Sequence, residues 1–228
     1  MEMVQSPRFE RIPRTESLTD AVYEAIKEAI LTLRIAPGEK LNVAEIAFEL
    51  GTSSTPVREA LNRLMNEGFV RKVPYRGLFV SEIDPVGVQQ LLEVRSILEM
   101  EAVSRAAVRF GPQDVEVGAR LIRKMLKAHG KGDIHAYIET SLNFHRLFIR
   151  RCGNEIMVNL LENLTDRIRQ LAFLAVRNRE EIPLFIEDYE KMLKALKAHD
   201  PEEAKRALRE HLGRVGESLY SVLERRGG

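Results

Sequence analysis

A short segment in the first third of the chain carries side chains that suit contacts to nucleic acid. Ser53, Ser54 and Thr55 precede Arg58 at the start of a predicted helix. Hydroxyls, free backbone N–H groups and a guanidinium at a helix N-terminus can bond phosphates or base edges. The segment also concentrates positive charge, which nucleic-acid binding requires. Its basic side chains are Arg58, Arg63, Arg71, Lys72 and Arg76, against the acidic Glu59 and Glu67.

The elements around this segment predict a helix-turn-helix. Apolar residues repeat at helical spacing after Ser17, and a second, short helix starts at Asn42 and stops at Gly51. Hydroxyl residues and Pro56 then open a third helix, which ends at Gly68. In such a motif the second of the two helices that meet at the glycine turn enters the major groove. The third helix of the chain is therefore the predicted reading helix.

Two strand-like segments follow the reading helix and predict a wing. The runs 69–73 and 78–81 are rich in β-branched and aromatic residues and flank a turn. Arg76 beside Gly77 at the tip of this hairpin can reach a phosphate or the minor groove. The sequence thus predicts a winged helix-turn-helix with a two-stranded wing over residues 17–82.

The rest of the chain is predicted to be helical. No strand pattern occurs after the pair Asp84-Pro85, and helical patterns separated by Gly and Pro continue to Glu224. These breaks predict an all-α bundle of about six helices over residues 85–226. Residues 83–89 form the linker and the start of the first bundle helix, and residues 1–16 are expected to be a flexible arm. The predicted fold class is mainly α.

Composition limits the class of protein. The chain has 228 residues, one Cys and a formal net charge of +1, which fits a soluble globular protein of one large or two modest domains. We find no signal-peptide pattern and no apolar run near the roughly 20 residues that cross a bilayer. A single Cys cannot form an intramolecular disulfide. We therefore expect a cytoplasmic protein without membrane contact.

The residue pattern gives little support to catalysis. Cys152 lies several residues from His145, but no Asp or Asn can be assigned as the third group that would orient the imidazole. The sequence contains no glycine loop that would hold phosphates, no His-Glu-x-x-His and no Gly-x-Ser-x-Gly. We expect that the protein is not an enzyme.

The DNA-binding segment resembles the winged helix of the GntR family. The motifs that carry the resemblance, in order, are 36–41, 55–61, 67–70 and 76–80. The resemblance implies base or phosphate contacts by the turn, the start of the reading helix and the wing. The predicted DNA-binding residues are Ser53, Ser54, Thr55, Arg58, Arg63, Arg76 and Gly77. The chain departs from the family pattern at two positions: many members have Arg where Ser54 stands, and some also have Arg where Ala44 stands. In the alternative without DNA, the hydroxyl residues only cap the helix and Arg58 pairs with Glu59 or Asn62.

The C-terminal part resembles the FCD ligand-binding domain of the FadR-type branch of the same family. The motifs that carry this resemblance are 93–95, 98–99, 143–146, 153–154 and 209–212. In many relatives an Asp and three His hold a divalent metal, and an organic acid binds beside it. The Asp lies four residues before one His, so both side chains share a helix face and can reach one ion. His145 and His211 match two of these positions, whereas Ser141 and Tyr189 stand at the other two.

Three interpretations of this site stay open. In the first, His145 and His211 bind a metal such as Zn or Ni, although two imidazoles alone hold such an ion weakly. In the second, both histidines are core residues hydrogen-bonded to neighbours. In the third, the site binds the effector directly, and Arg95 offers a bidentate fork to a carboxylate unless it pairs with Glu99, four residues further along its helix. The predicted effector-binding residues are Arg95, Ser141, His145, Tyr189 and His211.

These inferences together predict a transcriptional regulator. We expect a homodimer on a palindromic operator, because one reading helix covers only one half-site. We expect a repressor whose DNA affinity is controlled by a small carboxylic acid in the helical domain. The alternative is a constitutive DNA-binding protein whose helical domain only dimerises, and the departures at Ser141 and Tyr189 favour it.

Overall fold

A computed structural model describes residues 18–176 and 179–227 of the chain. The predicted arm at residues 1–16 lies outside the described residues. Within the described ranges, no helix is both long enough and apolar enough to cross a membrane. The structure forms two compact units. The first comprises Glu39–Ser81 with the described residues up to Glu28, and the second comprises Ala29–Gly38 and the residues from Glu82 onward.

The first unit is a winged helix-turn-helix. Its elements are α1 (Leu18–Leu31, which continues into the second unit), β1 (Lys40–Leu41), α2 (Val43–Glu49), α3 (Ser54–Asn66), β2 (Val70–Val73) and β3 (Gly77–Val80). Its core is formed by apolar side chains that recur at helical spacing on α1 and α3, among them Val22, Ile26, Val57, Leu61 and Leu64, all of which are buried. Burial of one face of each helix explains why both form at these positions.

The α2–α3 turn follows the predicted signals. The side chain of Asn42 caps α2 and accepts a hydrogen bond of 3.1 Å from the backbone N–H of Ala44. Gly51 lies between the two helices with a φ of +63°, a left-handed conformation that costs a residue with a Cβ more than it costs glycine. The predicted positions of α2 and α3 are therefore confirmed.

The sheet contains one strand more than predicted. Its order is β1-β3-β2 and both pairings are antiparallel. Val70 pairs with Val80 in the predicted hairpin, and Lys40 pairs with Phe79 on the other edge of β3. A strand of two residues is too short to show an alternating pattern, which is why the sequence did not reveal β1.

The second unit is a helical bundle. Its helices are α4 (Pro85–Ala107), α5 (Pro112–Gly130), α6 (Ile134–Arg151), α7 (Glu155–Asn163), α8 (Thr165–Ala175), α9 (Ile182–Lys197) and α10 (Pro201–Gly227), with a 3₁₀ helix at Arg179–Glu181 before α9. Asp84 caps α4 and Asp200 caps α10, as their positions before a proline predict. The largest side chains of the core include Phe110, Phe144, Phe148 and Phe185, and Cys152 is also fully buried there.

The described residues of the bundle form seven α-helices, whereas the breaks in the sequence predicted about six. The additional boundary lies at Leu164, which caps both the end of α7 and the start of α8. Its φ of −87° and ψ of −9° are close to helical values, and neither glycine nor proline stands there. A boundary made by such a small departure leaves no signal in the sequence.

Candidate functional site

The start of the reading helix is open to solvent. Ser53 is the N-cap residue of α3, but its side chain makes no capping hydrogen bond. Ser53 and Thr55 are exposed and Ser54 is half-buried. The backbone N–H groups of the first turn are therefore not occupied by the Ser53 hydroxyl, and such groups attract anions at a helix N-terminus.

Arg58 lies one turn further along α3 and is exposed. In the part of the chain that the structure describes, it makes no hydrogen bond or ion pair. Glu59, a partner considered in the sequence analysis, instead accepts a hydrogen bond of 2.9 Å from the hydroxyl of Thr19. The Arg58 guanidinium is thus available to a phosphate or a base edge.

Arg63 is on the same helix, but its guanidinium is already held by the protein. Nη1 of Arg63 lies 2.6 Å from Oδ1 of Asp20, and the guanidinium carbon lies 3.9 Å from the centre of the Tyr23 ring. Both partners belong to α1. This contact joins α3 to α1, which favours a structural role for Arg63 over the DNA contact that the sequence predicted.

The wing tip presents three exposed residues. Gly77 has a φ of +110°, and Tyr75 has a φ of +62° that is uncommon for a residue with a side chain. The guanidinium carbon of Arg76 lies 5.8 Å from the centre of the Phe79 ring. Tyr75 was not among the predicted contacts, although its place in the hairpin turn could have indicated exposure. Its ring is fully exposed at the tip.

All five predicted effector-binding residues line one cavity in the second unit. Arg95 comes from α4, Ser141 and His145 from α6, Tyr189 from α9 and His211 from α10. The cavity has a volume of about 40 Å³, which is room for a few water molecules. Apolar side chains of α8, such as Leu171 and Ala175, form part of its wall. The five predicted residues are polar and buried, so their side chains need hydrogen-bond partners.

Glu99 joins two of these residues. Nε of Arg95 donates to Oε1 of Glu99 at 2.9 Å, and Nδ1 of His145 lies 2.8 Å from Oε2 of the same carboxylate. Burial alone would raise the pKa of Glu99, but the neighbouring Arg95 and His145 outweigh it and lower that pKa to about 2. Glu99 is therefore ionised at neutral pH, and the pairing of Arg95 with Glu99 that was left open in the sequence analysis is present.

Tyr189 joins the two histidines. Its hydroxyl oxygen lies 3.2 Å from Nε2 of His145 and 3.2 Å from Nε2 of His211. Burial raises the pKa of Tyr189 above its ordinary value, so the hydroxyl keeps its proton. A hydroxyl has one proton, so it donates to one imidazole and accepts from the other. The interpretation of these histidines as hydrogen-bonded core residues thus agrees with the geometry.

Asp188 lies on the far side of His211. Nε and Nη2 of Arg214 donate to its two carboxylate oxygens at 3.0 and 3.3 Å. Nδ1 of His211 is 3.7 Å from Asp188, too far for a hydrogen bond, and has no partner among the described residues. Burial lowers the pKa of His211 to about 4, although Asp188 opposes this shift, so the imidazole is neutral at neutral pH.

One end of Arg95 remains unsatisfied. Besides the bond to Glu99, its Nη2 lies 3.4 Å from Nδ1 of His145, and within the described ranges Nη1 has no hydrogen-bond partner. The Arg95 side chain is only 7% exposed and lines the cavity. The described side-chain atoms that are fully buried without a partner are Thr52 Oγ1 and His211 Nδ1, so Nη1 of Arg95 keeps some exposure. An oxygen atom of a ligand or of water can accept its hydrogen bonds.

The residues present do not fit a divalent metal. No group of three or more His, Cys, Asp or Glu in the described ranges is placed to hold one. The Nε2 atoms of His145 and His211 are directed at the Tyr189 hydroxyl, and the Ser141 hydroxyl donates to the carbonyl of Ile138 at 2.8 Å. Two imidazoles are too few for a stable site.

Sequence reasoning did not assign Asp188 or Arg214 to this cluster, and it treated Glu99 only as an alternative partner of Arg95. Asp188 shares a helix face with Phe185 and Met192, which lie three residues before it and four after it, and a buried acid needs a partner. That position was a usable signal. No local pattern indicates Arg214, because its partner lies 26 residues away.

Comparisons with known proteins agree with both units. Residues 18–80 match the family described as bacterial regulatory proteins, gntR family, and residues 90–214 match the FCD domain. The HTH-type transcriptional regulator McbR of Escherichia coli (strain K12) is 31% identical over 211 residues, covering 92% of this chain and 96% of that protein. The HTH-type transcriptional repressor RspR of the same organism is 25% identical over 211 residues, covering 91% of both chains.

A solved structure gives the same result for the fold. The structure of E. coli McbR/YncC has a TM-score of 0.76 and 30% sequence identity to this chain. The matched region covers 91% of this chain and 99% of the chain in that structure. The similarity therefore extends over both the winged helix and the bundle.

Proposed function

The chain belongs to the GntR family of bacterial regulatory proteins and carries an FCD domain, and from this premise we propose a repressor that binds a palindromic operator as a homodimer and responds to a small carboxylic acid. That it is a DNA-binding transcriptional regulator, and not an enzyme, follows from the family and its relatives. We propose four further features: the palindromic operator, the homodimer, the carboxylic acid effector and repression as the direction of regulation.

The proposed DNA contacts lie at the start of α3 and at the wing. The observation that supports them best is Arg58, an exposed guanidinium without a protein partner among the described residues. The open first turn at Ser53, Ser54 and Thr55 provides N–H and hydroxyl donors beside it. Arg76 and Gly77 extend the contact to the wing. The test is binding of the purified protein to DNA fragments selected from a random pool, which should contain two inverted half-sites.

The proposed dimer places two reading helices on one operator. Exposed apolar side chains in the bundle provide a surface for it: Val94 and Ile97 lie one turn apart on α4, and Ile156 and Leu160 lie one turn apart on α7. These helices pack against each other. Apolar side chains exposed to this degree favour contact with a second copy. Light scattering that shows only monomers, with and without operator DNA, would contradict the dimer.

The proposed effector binds in the cavity beside Arg95. The supporting observation is that Nη1 of Arg95 makes no hydrogen bond among the described residues, so its N–H groups are available to a carboxylate oxygen. The ligand must be small, or the surrounding side chains must move, because the cavity is only about 40 Å³. An effector that prefers one conformation of the protein must change its operator affinity, and the operator must change effector affinity by the same factor.

The repressor role is supported by one relative, which is named a transcriptional repressor. In this proposal the acid lowers operator affinity. The alternative is constitutive DNA binding with a helical domain that only dimerises, and the small cavity favours it. A thermal-shift panel of formate, acetate, propionate and lactate distinguishes the two, because a ligand that binds only the native state raises its stability. His145→Ala should abolish any such response while DNA binding without ligand persists.

A further inference from the structure

Two imidazoles converge on a single oxygen atom in the core of the bundle. Nε2 of His145 and Nε2 of His211 both lie 3.2 Å from the Tyr189 hydroxyl oxygen. The three residues come from α6, α10 and α9. Imidazoles aimed at a common point from separate helices would suit a cation, but this point is occupied by a side chain of the protein itself.

A cation and the hydroxyl cannot share this position. A zinc ion needs imidazole nitrogens at about 2.0–2.1 Å, so it would have to displace the oxygen that now lies between them. Tyr189 has little room for such a movement, because it is 3% exposed and the cavity beside it is only about 40 Å³. Its ring centre is 5.0 Å from that of Phe144 and 4.7 Å from that of His211.

The charges around the hydroxyl also disfavour a cation. Two carboxylates are close, but each is already neutralised by an arginine: Glu99 by Arg95, and Asp188 by Arg214. The Arg95 guanidinium lies 3.4 Å from the ring of His145, which places a positive charge directly beside one would-be ligand. A divalent cation that entered this site would lose its hydration shell, and no unpaired carboxylate would compensate for that loss.

We propose that the Tyr189 hydroxyl takes the place of a divalent cation between His145 and His211, so that this pocket binds small oxyanions through protein donors alone. The donors that remain for a ligand are the Nη1 protons of Arg95. Oxyanion binding rests on the proposed effector site, whereas the role of the Tyr189 hydroxyl does not.

The first experiment measures metal uptake by the untagged full-length protein. The wild-type chain is dialysed against Zn²⁺, Ni²⁺ or Mn²⁺ and then against buffer, and its metal content is determined by elemental analysis. We expect no metal above the buffer blank. Uptake close to one ion per chain that disappears in His145→Ala would overturn the proposal.

Two variants test the position of the hydroxyl. The double variant Ser141→Asp, Tyr189→His supplies a carboxylate four residues before His145 and a third imidazole, so it should take up close to one ion per chain. Tyr189→Phe is the matched control, which removes the hydroxyl without adding a ligand and should take up none. A folded double variant without metal would contradict the assignment of the hydroxyl to the cation's place.

A measurement on the wild-type chain decides the question if the double variant does not fold. Side-chain NMR signals of His145 and His211, assigned with His→Gln variants, should not change when Zn²⁺ is added. Selective shifts of both signals at stoichiometric Zn²⁺ would overturn the proposal.

The ligand half is tested by thermal shift with formate, acetate, propionate and lactate in the presence of EDTA. Stabilisation that is unchanged by EDTA, and lost in Arg95→Gln, supports binding through protein donors. Stabilisation that needs added metal overturns it. If no acid stabilises the protein under either condition, the effector site of the proposed function fails as well, whereas the metal measurements still decide the role of Tyr189.

Discussion

The guanidinium carbon of Arg63 lies 3.9 Å from the centre of the Tyr23 ring, and the same guanidinium is paired with Asp20. Arg58, on the same helix, has neither kind of partner among the described residues. Arg58→Ala should therefore lower the affinity for a selected operator by about 1–3 kcal/mol without changing the unfolding transition. Fluorescence anisotropy with a labelled operator measures the first quantity, and urea unfolding measures the second.

Arg63→Ala is the matched control for that prediction. It should lower the free energy of unfolding, because it removes contacts between α3 and α1, and it should leave operator affinity nearly unchanged while the protein is folded. If Arg63→Ala weakened operator binding as much as Arg58→Ala at equal folded fraction, the assignment of roles on this helix would be wrong.

Tyr189→Phe should destabilise the bundle. The substitution removes one hydroxyl and leaves two buried imidazole nitrogens without a partner, at a cost of about 1–3 kcal/mol or more. Tyr137→Phe is the matched control: Tyr137 is also buried, but in the described ranges its hydroxyl makes no hydrogen bond. Urea unfolding should show a change within about 0.5 kcal/mol for this second variant. Equal losses in the two variants would show that the Tyr189 hydrogen bonds contribute nothing.

Acid should destabilise the protein through His211. Burial lowers the pKa of this residue to about 4 in the folded state, and an unfolded histidine has a pKa of about 6.5. Between these two pKa values the unfolded chain binds a proton at His211 that the folded chain does not bind. The free energy of unfolding should thus fall by on the order of 3 kcal/mol between about pH 6.5 and pH 4. Urea unfolding at a series of pH values measures it.

His211→Gln provides the control for the pH series. Without the imidazole, the loss of stability between pH 6.5 and 4 should be smaller by the same amount. Both proteins should lose further stability below the ordinary pKa of a glutamate, because the pKa of Glu99 is lowered to about 2 and its contribution is lost as the pH falls towards that value. Parallel curves for the two proteins above pH 4 would refute the role of His211.

Ile97→Glu should break the proposed dimer. Ile97 is 64% exposed on α4, and a charge at the centre of an apolar contact between two copies should cost about 2 kcal/mol or more of association free energy. Leu126→Glu is the control, since Leu126 is an exposed apolar residue on α5 instead. Light scattering should report monomers only for the first variant. A dimer that survives Ile97→Glu would move the interface elsewhere.

Local signals in the sequence were sufficient for most of the elements. Asn42, Asp84 and Asp200 have side chains that accept backbone hydrogen bonds within three residues, so their effect can be predicted from neighbours alone. The break at Leu164 differs, because neither glycine nor proline stands there and its φ and ψ depart only slightly from helical values.

The contacts around the pocket also include some between residues close in the sequence and some between distant residues. The five predicted residues do meet at one cavity, but two of the polar contacts around it join residues that are far apart in the sequence. Glu99 reaches His145 over 46 positions, and Arg214 reaches Asp188 over 26. Pairings over such separations depend on how the bundle packs and cannot be inferred from spacing along one helix.

The single thiol of the chain also serves as a natural reporter. Cys152 is fully buried at the end of α6, and its Sγ lies 3.7 Å from the carbonyl oxygen of Asn154. A maleimide or disulfide reagent can reach it only when the bundle opens, so the labelling rate of the unaltered protein follows that opening. A cysteine introduced at the wing tip in place of the fully exposed Tyr75 would react far faster, which allows a dye or spin label to be attached there without first replacing Cys152.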